Sequence, residues 1–139
     1  NYPRLFFKDY NTFYNYIFEE VEIPHFLRFA PGANYIVPKN NILSRSRNFY
    51  KNLIKFISHS QFSCESHYLE RSLYIIWNSS IKTSERMNNI INNKELKNLN
   101  DSCNKSISEE KKLIEKFKKK IIFKLGSIYM NFFLKKILE

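Results

Sequence analysis

Eighteen of the 23 aromatic side chains fall within residues 1–80, and only five lie beyond. Each packed aromatic removes a large apolar area from water, so the first 80 residues can build a dense core that the remainder cannot. The asymmetry sets a boundary near residue 80. Charge divides at the same place: residues 1–80 carry a net +3 and residues 81–139 a net +7. Seventeen of the 23 cations are Lys, and there are 17 Asn with abundant Ile. An AT-rich coding sequence produces that bias, so the basic pI is not by itself a nucleic-acid footprint.

Within the front part, Phe6, Tyr10, Phe13 and Ile17, with Phe7, Tyr14 and Phe18 beside them, recur at helical spacing and predict a helix over residues 5–19. Pro24 and Pro31 then hold an extended connection. Residues 33–37 (Ala-Asn-Tyr-Ile-Val), stopped by Pro38, read as a short buried strand. Ser46 caps a helix bearing Phe49, Tyr50, Leu53, Ile54, Phe56 and Ile57. A further helix runs from Tyr68 to Trp77. The expected class is mainly α with one or two short strands.

The domain reading is an aromatic-rich unit over residues 1–80, an Asn/Lys-rich weak helix and linker over 81–105, and a basic amphipathic helix over 106–139. Residues 106–109 (Ser-Ile-Ser-Glu) match a capping box. From there Ile114, Phe117, Ile121, Leu125, Ile128 and Phe132 mark one helical face beside a crowd of lysines. Such a helix packs on the body, or meets a membrane surface or a partner. No apolar run approaches the roughly 20 residues that span a bilayer. The chain starts at Asn1 with no signal-peptide pattern, which reads as a processed chain or a piece of a longer one. Nothing in it assigns a compartment.

Two glycines leave no room for a phosphate-cradling or dinucleotide-binding glycine turn, and two aspartates give no Asp-x-Asp metal motif. His25, His59 and His67 are scattered, and Cys64 and Cys103 form no CxxC, so no metal ligand set or resident cofactor is expected. The residue types that remain cluster between 29 and 77. Gly32 and Ala33 permit close backbone approach, and Asn34 beside them offers a donor and an acceptor to a hydroxyl-rich ligand. Arg45 and Arg47 flank the start of the next helix. Glu70 lies within an aromatic and aliphatic helical segment, where partial burial would raise a carboxyl toward use as a general base, or where it would pair with a nearby Arg.

These residues also carry a family resemblance. Ala33, Asn34, Tyr35, Val37, Ile42, Arg45, Phe49 and Tyr50 match, without a gap, a segment of an uncharacterised glycosyltransferase-like (GT-A-like) family. Its pattern reads small-Gln/Asn-aromatic-x-Val-Ser-x-x-x-Ile-x-x-Arg-Pro-x-x-Phe-Tyr. A second block, Leu69-Glu70-Arg71 followed by Ile75-Ile76-Trp77, resembles that family's Glu-containing helix. Together the blocks span about residues 26–78. The chain departs from the pattern at Pro38 (typically Ser), Ser46 (typically Pro) and Tyr74 (often His).

The resemblance implies the α-rich, acceptor-side C-terminal part of an α/β domain, followed here by the basic helix. The family's nucleotide-binding half lies upstream and is not in these 139 residues. By analogy with metal-independent transferases, Asn34 would orient a carbohydrate acceptor and Arg45 and Arg47 would help bind it. Glu70 would take the acceptor proton, and Lys82 or Arg86 would neutralise the leaving diphosphate of a nucleotide-sugar co-substrate. The chain alone is expected to be inactive. Two other classes compete: a small basic helical protein docking its C-terminal helix on anionic membranes or, less favoured, nucleic acid, and a structural domain without a site.

Overall fold

Asp9 starts the first helix. Its carboxylate accepts the N–H of Thr12 at 2.8 Å while its own N–H donates to the Thr12 hydroxyl at 3.1 Å, a reciprocal cap. Helix α1 (Tyr10–Ile17) follows and buries Phe13, Tyr14, Tyr16 and Ile17. The computed structural model describes residues 2–19, 22–23, 26 and 35–138, with side chains through residue 125. The remaining helices are α2 (Lys39–Leu43), α3 (Arg47–Ile57), α4 (Cys64–Ile76) and α5 (Asn93–Leu138), with a 3₁₀ turn at Glu85–Met87.

The expectation of a mainly helical chain holds, whereas strands are absent among the described residues. A single antiparallel bridge, Phe18 to Thr83, is the one β-type pairing there. Residues 35–37 form no strand, and the rest of that segment, with Pro24 and Pro31, lies outside the described residues. An unpaired strand would leave its backbone groups unsatisfied, and no strand among the described residues is placed to pair it.

Three helices start elsewhere than the spacing predicts, α4 at Cys64 rather than Tyr68 because Ser63 caps it. The aromatic helix begins at Tyr10 rather than residue 5, because the N–H groups of Leu5, Phe6 and Phe7 are bound by the Glu65 carboxylate. The last helix begins at Asn93, well before Ser106, so no linker separates it from the turn region. Asn92 accepts the N–H of Glu95 at 2.9 Å, and Tyr16 donates to the Glu95 carboxylate at 2.7 Å. That local cap and the long-range Tyr16 bond stabilise an Asn/Lys-rich turn of weak intrinsic propensity. The chain divides into two compact units, Asn1–Asn104 and Lys105–Glu139.

The core of the first unit is aromatic. The Phe7 ring meets Phe13 edge-on at 5.3 Å and Phe56 at 5.0 Å. Ser46 caps α3 as expected, accepting the N–H of Phe49 at 3.1 Å, and α3 buries Phe49, Leu53 and Phe56 on one stripe. Ser63 caps α4 in the same manner, accepting from Ser66 at 3.1 Å. The segment before α5 closes the end of α1: Ser84 donates its N–H to the Ile17 carbonyl at 2.8 Å and its hydroxyl to the Tyr16 carbonyl at 2.7 Å. Those bonds satisfy carbonyls that a helix end would otherwise leave orphaned.

Candidate functional site

The C-terminal end of α4 needs acceptors' partners, and Arg45 supplies them. Its half-buried guanidinium donates to the carbonyls of Ile76 at 2.8 Å, Ile81 at 2.6 Å and Asn78 at 2.6 Å. One planar fork thereby fixes the end of α4 and the turn beyond it. This turn carries Trp77, which Tyr35 meets edge-on at 5.1 Å between ring centroids. The Tyr50 hydroxyl donates to the Ile42 carbonyl at 2.9 Å and ties α3 back to α2.

These constraints leave an open cleft of about 380 Å³ between α2, α4 and the extended residues 35–38. Tyr35, Tyr74 and Trp77 supply aromatic walls, Ile36, Val37 and Pro38 an aliphatic edge, and Asn41 and Asn78 complete the lining, the Asn78 amide oxygen accepting the Ser80 N–H and hydroxyl. No lining residue is charged. Rings beside uncharged amide residues suit a neutral, hydroxyl-bearing ligand, because sugar C–H faces lie on aromatic faces while an amide can donate to or accept from a hydroxyl. A diphosphate would find no cation here to balance it.

The expected site residues do not converge on this cleft as a set. Asn34 lies outside the described residues, although Tyr35 beside it lines the wall. Glu70 is half-buried on α4 and is not among the lining residues. It does stand one turn before Tyr74 and two before Trp77 on the same helical stripe. Arg45 bonds main-chain carbonyls, so it positions the cleft rather than contacting its contents. Arg47 is exposed at the first residue of α3.

Lys82 is exposed, and its carbonyl accepts the N–H of Glu19 at 3.3 Å. Arg86, also exposed, lies 4.9 Å over the Tyr16 ring. Neither cation lines the cleft, so the expected phosphate pair is not assembled there. No group of three or more His, Cys, Asp or Glu able to hold a metal ion occurs among the described residues. No helix among them is long and apolar enough to cross a membrane.

Sequence reasoning passed over the buried carboxylate. Glu65, in the first turn of α4, is fully buried and accepts N–H groups from Leu5 and Phe6 at 2.8 Å each and from Phe7 at 3.4 Å. Its second oxygen is 3.0 Å from Nε2 of His59. Burial alone would raise its pKa, but the Phe6 and Leu5 N–H bonds and the His59 contact outweigh it and hold the pKa below the ordinary glutamate value. With both oxygens engaged, Glu65 is a structural clamp. Its one sequence signal is Ser63 two residues earlier, a cap that puts Glu65 where a helix favours negative charge.

Asn52 plays a similar part. Fully buried, it donates to the carbonyls of Met87 at 3.1 Å and Asn89 at 2.7 Å and accepts the Ile91 N–H at 3.1 Å. Comparisons with protein-family models, curated proteins and solved structures found no match.

Proposed function

We propose that this chain is the acceptor-side part of a glycosyltransferase-like domain and that the aromatic cleft holds a neutral saccharide acceptor. The observation that carries the proposal is the uncharged pairing of Tyr35, Tyr74 and Trp77 with Asn41 and Asn78. It arises from the two segments on which the family resemblance rests. The absence of cations from the lining favours the acceptor over the nucleotide sugar. Glu70, in register one turn from Tyr74, is the carboxylate proposed to take the acceptor proton once a donor-binding half is supplied. Alone, the chain binds saccharide and transfers nothing.

Trp77 is the only tryptophan, so intrinsic fluorescence reports on this cleft directly. Titration with free mono- and disaccharides should shift its emission with a dissociation constant on the order of 1 mM, as expected for a few stacking and amide contacts at an open site. Tyr35→Ala should abolish the shift, whereas Glu70→Gln should leave it. A flat titration across neutral and aminated sugars, or equal binding by Tyr35→Ala, refutes the saccharide reading. Turnover of a nucleotide sugar by the isolated chain refutes the division of labour.

A further inference from the structure

Within the second unit, α5 exposes a row of large apolar side chains. Leu113, Ile114, Phe117, Ile121 and Leu125 are all between 47% and 63% exposed. At the helical repeat these five fall within about a third of the circumference. Ile122 and Phe123 are exposed as well but lie off that stripe. From Lys111 to Leu125 the helix carries seven lysines and one glutamate. Lys111 and Lys118 border the stripe on one side and Lys116 and Lys120 on the other, while Lys124 falls inside its arc near the C-terminal end. Glu115 stands on the far side of the helix, 3.2 Å from the Lys118 ammonium.

We propose that this helix docks in the plane of an anionic phospholipid surface, its apolar stripe entering the acyl boundary while the flanking lysines meet the headgroups. Charge complementarity selects that occupant. A second copy of the helix would set lysine flank against lysine flank, where a paired coil needs opposite charges. A nucleic acid would use the lysines but leave Leu113, Ile114 and Phe117 in water. Lysine stems bordering an apolar stripe can lie along the interface with their ammonium groups in the headgroup layer. The inference is independent of the saccharide cleft.

The test is co-sedimentation of the full chain with phosphatidylcholine vesicles, with and without phosphatidylserine, at low and high salt. Binding should be at least tenfold stronger to the anionic vesicles and weaken steeply with salt, since each lysine near such a surface is worth roughly fivefold in partitioning. Phe117→Glu should weaken it about tenfold or more by placing a charge in the stripe. The triple variant Lys116→Glu, Lys118→Glu, Lys120→Glu should weaken it about a hundredfold or more.

Circular dichroism checks that each variant keeps its helix, and the comparison of the two vesicle types on the unaltered chain stands if one does not. Equal partition to both vesicle types, no partition to either, or indifference to Phe117→Glu overturns the proposal. So does a dimer, seen by light scattering, that Phe117→Glu dissolves without any vesicle binding by the unaltered chain. RNA binding that ignores Phe117→Glu, in the absence of vesicle binding, also overturns it.

Discussion

Removing the Glu65 carboxylate should be among the most damaging single changes in the chain. In Glu65→Ala the N–H groups of Leu5 and Phe6 lose a charged acceptor at 2.8 Å each, and Phe7 loses a weaker bond at 3.4 Å. A buried donor left without a partner costs about 1–3 kcal/mol, so two strong bonds imply a loss of about 4 kcal/mol. Total stabilities are about 5–15 kcal/mol, which brings that variant close to unfolding. Glu65→Gln retains an acceptor oxygen and loses only the charge assistance, for a loss of about 1–2 kcal/mol. Urea unfolding followed by circular dichroism and Trp77 emission measures both.

The pH dependence supplies a second readout. The folded pKa of Glu65 lies below its ordinary value of 4.5, so the carboxylate's stabilisation is fully present above that pH. It is lost as pH falls through the depressed folded value. The stability gap between the unaltered chain and Glu65→Gln should therefore narrow as pH falls below about 4.5. A Glu65→Ala loss under about 1 kcal/mol, or a gap that does not narrow in acid, refutes the clamp.

Arg45→Ala should destabilise the first unit by about 2–3 kcal/mol, because three carbonyls lose charged donors, and should red-shift Trp77 emission as the end of α4 loosens. Arg45→Lys should recover only a small part, since an ammonium cannot reproduce the three-way fork, and full rescue would refute the positioning role. Asn52→Ala should cost about 3 kcal/mol by orphaning buried groups of Met87 and Ile91, measured by the urea midpoint. An effect within about 0.5 kcal/mol would show that the turn before α5 does not depend on it.

Much of the helical layout was legible because its signals are local. Ser46 capping α3 and the stripe of Phe49, Leu53 and Phe56 follow from neighbouring residues alone. The cleft was partly legible: the segments around Tyr35 and Trp77 stood out, but the pairing of their rings across more than 40 residues of chain did not. The choice between two acids on one helix was not legible at all. Glu65 and Glu70 share α4, and only the arrival of residues 5–7 against its first turn decides which one is buried. The strand expected over residues 33–37 shows the complementary limit, since β-propensity in a short run means little without a pairing partner.

Residue order alone settled that this chain would be helical and aromatic-rich in front and basic behind, because periodicity, caps and charge act over a few neighbouring positions. Which carboxylate is enclosed, how residues 5–7 are held off α1 and how Arg45 shapes the end of α4 were settled only by tertiary structure. In each case a backbone group takes its partner from a distant segment, and the free energy of that bond exists only once the chain has folded.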